Sequence, residues 1–183
     1  FVMIDNILTQ YGLPKELKYL AVIESNLKVG ATSWVGAAGP WQFMPYTARE
    51  YGLVVNGAID DRRDYFKSTH AAAKYLLTLY RQMHDWLLVI AAYNGGPGRV
   101  YSAMKRSGSR NFWQLQYHLP EESRNHVKKF IATHYVMEGS GAIMPGATTS
   151  DQPVTYYAFE GGFPVTQERS IVSSGKGEKY VTT

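Results

Sequence analysis

Leu13-Pro14-Lys15-Glu16-Leu17-Lys18-Tyr19-Leu20-Ala21-Val22-Ile23-Glu24-Ser25 reads as an amphipathic helix with one residue out of character. Pro14 suits the first turn, where a missing backbone N–H costs nothing. Leu17, Leu20, Ala21 and Glu24 fall on one stripe, at offsets of three, four and seven residues. An apolar stripe therefore ends in a carboxyl group. A carboxylate left unpaired among apolar neighbours is costly, so such a group tends to hold its proton. A carboxylic acid still protonated near neutral pH is what general acid catalysis requires, and Glu24 is the candidate acid.

Outward from this helix, residues 1–138 read as one helical domain. Val2 to Tyr11 is a short helix closed by Gly12. The segment from Lys28 to Tyr46 is a long loop rich in Gly, Ala and Ser. Loops of that length inside a domain are functional or disordered, and Trp34, Trp41, Phe43 and Met44 argue against disorder. Thr47 to Tyr51 is one helical turn stopped by Gly52. Asp64 or Ser68 caps a long helix to about Met83, whose stripe is Phe66, Ala73, Leu76, Leu77, Tyr80 and Met83. Trp86 to Tyr93 is apolar all round, as a buried helix is. Asn94-Gly95-Gly96-Pro97-Gly98 is a turn signal, followed by helices over Arg99–Arg106 and Pro120–Met137. From 139 to 183 the chain turns rich in Gly, Ser, Thr and Pro and loses helical periodicity. This stretch reads as an irregular tail or linker, partly packed through Tyr156, Tyr157, Phe159 and Phe163, with a short strand over Val154–Phe159.

The totals bound the function. The chain has 183 residues, 45% hydrophobic and 14% aromatic, enough for a sizeable core and against global disorder. Its net charge of +4 and pI near 9.2 suit an anionic polymer, nucleic acid or cell-wall glycan, and equally an ordinary soluble enzyme. Without cysteine there is no disulfide, thiolate nucleophile or cysteine-ligated metal. The longest apolar run, Trp86 to Tyr93, is too short to span a bilayer. A start at Phe1 fits a removed leader or a piece of a longer chain.

Three patches far apart in sequence share a polar and aromatic character: Glu24-Ser25; Ser33 with Gly39-Pro40-Trp41-Gln42-Phe43-Met44-Pro45; and Ala91-Ala92-Tyr93-Asn94-Gly95-Gly96-Pro97-Gly98. Each has a structural reading of its own: a paired core carboxylate, a pinned loop, a helix end where Asn tolerates left-handed geometry. Together their order and spacing resemble the lytic transglycosylases of the goose-lysozyme-like superfamily. Glu24-Ser25 is similar to the family's Glu-Ser motif, with Ser33 and Gln42 nine and eighteen residues on. Residues 39–45 resemble its Gly-Leu-Met-Gln or Gly-Leu-Trp-Gln motif, and 92–98 its Ala-Tyr-Asn-(Ala/Gly)-Gly motif. Glu122-Ser123-Arg124-Asn125-His126-Val127 resembles its Glu-Thr-(Arg/Lys)-x-Tyr-Val motif. Ala31-Thr32-Ser33, Ala37-Ala38-Gly39, Asp61-Arg62-Arg63-Asp64 and Asp85-Trp86-Leu87-Leu88 are similar to the subgroup of membrane-bound lytic murein transglycosylase D. The resemblance covers roughly residues 10–137. Pro40 replaces the usual Leu or Ile, Lys28-Val29 an Asp-Pro or Asn-Pro, and His126 the usual Tyr. No LysM repeat, a frequent companion of this domain, follows within the 183 residues.

The resemblance implies a mainly α, lysozyme-like fold and a lyase acting on peptidoglycan. Glycosidases generally use two carboxyl groups, yet no Asp or Glu lies between Glu24 and Glu50. Asp60, Asp61 or Asp64 would supply a second if it folded back. Asp64 reads more simply as a helix cap, and Asp61 as a partner of Arg62 or Arg63. In the mechanism the resemblance implies, Glu24 acts first as acid and then as base, and the muramic C6 hydroxyl closes on C1 to give a 1,6-anhydro sugar. No metal or cofactor enters. Ser33 would bond near Glu24 or the muramic acetamido group, and Gln42 offers a donor and an acceptor to sugar amides. Met44 would pack on a sugar face or hold the loop. Tyr93 would donate its hydroxyl to Glu24 or substrate, and Asn94 would contact substrate or fix Tyr93. Glu122 would line the site or pair with Arg124. Trp34, Trp41 and Phe43 read as sugar-stacking or core residues.

The expected partner is a peptidoglycan glycan strand, the expected location a bacterial cell envelope, periplasmic or outer-membrane associated, and the expected state a monomer. Two alternatives stay open: a hydrolytic muramidase on the same fold, and an inactive peptidoglycan-binding scaffold. Metal catalysis is disfavoured because His70, His84, His118, His126 and His134 lack His-Glu-x-x-His spacing. No Gly-x-Ser-x-Gly elbow marks a serine hydrolase. Lys105-Arg106 and Lys128-Lys129 are too short to read as a nucleic-acid track.

Overall fold

In the computed structural model the described residues are 1–139 and, after them, the backbone of two strands. The chain runs α1 (Val2–Gln10), a 3₁₀ turn (Lys15–Leu17), α2 (Lys18–Ser25), α3 (Pro45–Glu50), a second 3₁₀ turn (Asp61–Arg63), α4 (Tyr65–Met83), α5 (Trp86–Gly95), α6 (Pro97–Ser107), α7 (Phe112–Leu115), a third 3₁₀ turn (Gln116–His118) and α8 (Glu121–Glu138). The strands are β1 (Tyr156–Glu160) and β2 (Phe163–Gln167). The chain divides into two compact units, Phe1–Gly141 and Ala142–Thr183. The first has the mainly α, lysozyme-like architecture that the motifs imply.

Side-chain caps set where several helices start. Asp64 accepts from Lys67 N at 2.8 Å and opens α4, and Asp85 accepts from Leu87 and Leu88 N and opens α5. Asn111 does the same for α7 through Trp113 N. Residues Trp86 to Ala92 of α5 are buried on every side, as their unbroken apolar run requires. Helices α4, α6 and α8 pack around α5, while α2 packs on α8 and α1 on α4. Lys18, itself buried, pins the far side of this packing through Asp5 of α1 at 3.3 Å and Glu138 of α8 at 3.4 Å. The Tyr19 hydroxyl also donates to Glu138. The relation of α2 to α8, which decides the site, is thus fixed at its outer end by charge.

The structure corrects several details. Pro14 has ψ 134°, so it precedes a 3₁₀ turn, and the α-helix begins only at Lys18. Phe66 is exposed in the first turn of α4, edge-on to His70, while Thr69, Ala72, Ala73, Leu76, Leu79 and Met83 carry the buried face. Helix α5 continues through Asn94 and Gly95, and the turn is the single residue Gly96 at φ 83°. In the second unit, β1 starts two residues later than the expected strand and pairs antiparallel with β2, Ala158 opposite Val165. The expected packing of Tyr156, Tyr157, Phe159 and Phe163 lies outside what is described.

Candidate active site

Glu24 occupies the last turn of α2, where Leu17, Leu20 and Ala21 below it are buried, and its side chain is 16% exposed. Beyond it, Asn26 and Leu27 both take left-handed backbone, with φ of 53° and 61°, and turn the chain sharply out of the helix. Ser25 fastens that turn by donating its hydroxyl to Pro40 O at 2.8 Å. Burial pushes the Glu24 carboxyl up to about 7, with the Glu122 charge adding to the rise and Lys129 opposing it. From α8, His126 Nε2 stands 3.3 Å from Glu24 Oε1. His126 is buried, and burial together with the Lys129 charge pushes its imidazole down to about 4. Near neutral pH the imidazole is therefore uncharged, and the contact joins a neutral ring to a half-titrated acid.

The loop from Lys28 to Met44 lies beside this acid and is held by backbone and arginines. Bridges join Thr32 to Ala38 and Ala38 to Phe43. Gly39, at φ 80°, leaves no room for a side chain: a Cβ would stand 1.8 Å from Arg62 O. Arg62 donates to Gly36 O at 2.8 Å and Phe43 O at 3.0 Å, and Arg63 donates to Val29 O and Thr32 Oγ1. Ser33 Oγ accepts from Ala37 N at 3.0 Å, so this hydroxyl shapes the loop. Gln42 has φ 49°, and its Nε2 donates to Gly39 O at 2.8 Å. Trp41 and Phe43 are core residues, Trp41 donating its indole N–H to Thr69 Oγ1. Trp34 is 97% exposed and Met44 is also exposed, so of the three aromatic candidates only Trp34 faces solvent.

The third patch closes the site from α5. The Tyr93 hydroxyl donates to Trp41 O at 2.8 Å, so it ties α5 to the loop rather than to Glu24. Burial raises the Tyr93 phenol well above its usual range, and the Glu24 charge adds to the rise. Asn94 Oδ1 accepts from Ser123 Oγ at 2.9 Å and links α5 to α8. A Cβ on Gly95 would stand 2.3 Å from Ser123 Oγ, so this glycine sets how closely α8 approaches. Glu122 is exposed on the first turn of α8, and Arg124 lies over the Tyr117 ring instead of pairing with it.

The acidic run is committed elsewhere. Asp60 binds Arg62 through Nε at 2.7 Å and Nη2 at 2.8 Å and lies 3.4 Å from Arg63 Nε. Asp61 pairs with Lys67 at 2.7 Å and accepts from Val54 N, which corrects its expected pairing with Arg62 or Arg63. Asp64 caps α4. Hydrogen bonds from Arg62 and from Lys67 hold the Asp60 and Asp61 carboxyls below their usual range. Among the described residues, no three His, Cys, Asp or Glu side chains converge as a metal site.

Residues 2–116 match the family model "Transglycosylase SLT domain". The chain belongs to the transglycosylase SLT domain family. It is 39% identical over 146 residues to membrane-bound lytic murein transglycosylase D of Escherichia coli K12, covering 77% of this chain and 32% of that protein. An inactive glutamate-to-glutamine variant of the lytic transglycosylase Slt from Pseudomonas aeruginosa shares its fold, with a TM-score of 0.63 at 24% identity over 74% of this chain and 23% of that one. The 70-kDa soluble lytic transglycosylase of Escherichia coli gives 0.60 at 25% identity over 73% of this chain and 24% of that one. The chain spans about a third of the length of this Escherichia coli relative.

In this SLT domain the residues that assemble the site stand in the sequence motifs without a role assigned to them. Ser25, Arg62, Arg63 and Ser123 bind backbone or side chains across long sequence distances. His126 entered as a departure from the family motif and as one of five histidines without metal-site spacing, not as a neighbour of Glu24. Its signal was available in the α8 stripe, where Ser123, His126, Val127 and Phe130 are all buried at helical spacing.

Proposed function

We propose that this SLT domain is a peptidoglycan lytic transglycosylase that cleaves the β-1,4 bond between N-acetylmuramic acid and N-acetylglucosamine without water. The observation that carries the reading is a carboxyl, Glu24, that burial pushes up to about 7, while Asp60, Asp61 and Asp64 are bound to structure. Glu24 gives its proton to the glycosidic oxygen as the C1–O bond breaks, and the sugar's acetamido group stabilises C1. The carboxylate so formed takes the proton of the muramic C6 hydroxyl while O6 bonds to C1. Glu24 ends protonated, ready for the next bond, and neither metal nor cofactor takes part. A catalytic pKa near the working pH serves both transfers.

Support for the substrate comes from the names of the relatives and the intact motifs. In this reading Gln42 presents its side-chain carbonyl to a sugar N–H, Met44 and Trp34 lie against sugar faces, and Ser33 and Asn94 hold the strand through the groups they fix. Tyr93 acts through the loop carbonyl it binds. Residues 1–138 form the catalytic unit and 139–183 the tail. The enzyme works as a monomer on glycan strands of a bacterial cell envelope, in the periplasm or at the outer membrane. No helix among the described residues is long and apolar enough to cross a membrane.

A second reading, a hydrolytic muramidase, is favoured by Glu122, a carboxylate whose charge reaches Glu24. Mass analysis of products from purified peptidoglycan separates the two. The proposal expects muropeptides one water lighter than reducing-end products, unchanged in Glu122→Gln. Reducing-end products that vanish in Glu122→Gln would establish hydrolysis.

A further inference from the structure

His126 Nε2 is wholly buried and makes no aligned hydrogen bond, yet it stands 3.3 Å from Glu24 Oε1. A buried donor without an acceptor costs free energy that one bond would offset. The ring has little freedom to find another partner. Ser123, one turn earlier, is bonded to Asn94, and Val127 and Phe130 beside it are buried. Catalytic hydrogen bonds are often long in an empty site and tighten around the substrate.

We propose that His126 is a positioning residue: its Nε2–H is donated to Glu24 Oε1, which turns the other carboxyl oxygen, carrying the proton to be transferred, toward the glycosidic bond. The proposal rests on Glu24 being the acid. The direction of the bond follows from the chemistry of both steps. A donor at Nε2 serves the carbonyl oxygen of the acid and then the carboxylate. An acceptor there would bind the acid's own proton and withhold it from the sugar. The groups facing the pair are Lys129 and Glu122 from α8, which act on Glu24 with opposite signs, and Tyr93 from α5. A neutral imidazole neither takes the proton nor adds a charge, so it orients the carboxyl without ion pairing.

The test compares His126→Phe, His126→Leu and His126→Gln in the full chain. Lysis of purified peptidoglycan gives kcat and KM against pH, and carbon NMR titrates Glu24 without substrate. The apolar variants are expected to lose about tenfold in kcat with little change in KM, the scale of one hydrogen bond. Glu24 should titrate about one unit higher in them. His126→Gln, which keeps a donor, should restore most of both. Apolar variants with kcat and titration unmoved would make His126 a packing residue and overturn the proposal, as would equal losses in His126→Gln. A downward shift would show that Nε2 accepts. If one apolar variant fails to fold in a thermal melt, the other is read against His126→Gln. An active Glu24→Gln would instead defeat the functional reading, while the titration of Glu24 would still report on the contact.

Discussion

Glu24 and the acidic run Asp60–Asp64 place the same functional group in opposite states. Glu24 ends an apolar stripe, meets a neutral imidazole, and is pushed up to about 7 by burial. Asp60 and Asp61 meet arginine, lysine and backbone N–H groups, which hold them below the usual carboxylate range. The difference lies in what the neighbours donate. A carboxyl surrounded by charged donors becomes a permanent anion that organises structure, and one that meets only a neutral ring keeps a mobile proton. The two regions depend on each other, since the Asp60–Arg62 pair holds the loop that borders Glu24.

Neutralising each carboxyl should therefore have opposite effects. The largest is catalytic: Glu24→Gln should lower cell-wall lysis by at least about a thousandfold, the scale of a lost general acid. Lysis within tenfold of the unaltered protein would break the contrast at its centre. The same substitution should raise stability. The folded Glu24 binds its proton more tightly than the unfolded chain does, so its contribution is present at low pH and is lost as pH rises from about 4.5 to about 7. A shift of that size is worth on the order of 3 kcal/mol, so Glu24→Gln should gain up to about that much above pH 7 and nothing below pH 4. His126 works the other way, since its folded pKa is depressed and its contribution appears as pH rises from about 4 to 6.5. In the unaltered protein the two cancel over much of this window. In Glu24→Gln the histidine limb should emerge alone, as a rise in denaturation midpoint with pH.

Asp60→Asn should destabilise by about 3 kcal/mol, because it strips the partner from the buried Arg62. Denaturant unfolding at pH 7 checks the sign against Glu24→Gln. Asp60 has a lowered pKa, so its contribution is present above the usual carboxylate range and disappears as pH falls through that lowered value. Gly95→Ala sharpens the comparison from α5. Its Cβ would press on Ser123, shift α8, and carry His126 away from Glu24. A loss of about 1–3 kcal/mol together with slower lysis is expected. Asp64→Ala should be the mildest, about 1 kcal/mol for a lost cap, with lysis unchanged.

The legible parts of this protein are those whose causes are local. Asp64 or Ser68 announces the start of α4, the apolar run Trp86 to Tyr93 announces a buried helix, and Glu24 stands out from its own stripe. What stayed hidden depends on contacts between distant segments. Asp60 and Asp61 are interchangeable to a reader of sequence, and only the 3₁₀ turn over Asp61–Arg63 decides which of them reaches Arg62. Tyr93 and Ser33 are expected at Glu24 or substrate, but the Tyr93 hydroxyl donates to Trp41 O and the Ser33 hydroxyl accepts from Ala37 N, partners that require the folded loop. α7 has four residues, too few for a period to show. Phe66 is apolar at a stripe position, yet the first turn of α4 lies beyond the core.

Carbon NMR of the Glu24 carboxyl across pH 3 to 9 tests the central claim most directly. The account predicts a midpoint near 7, with Glu24 still largely protonated at pH 6. A midpoint near 4.5, the value of an exposed glutamate, would contradict it.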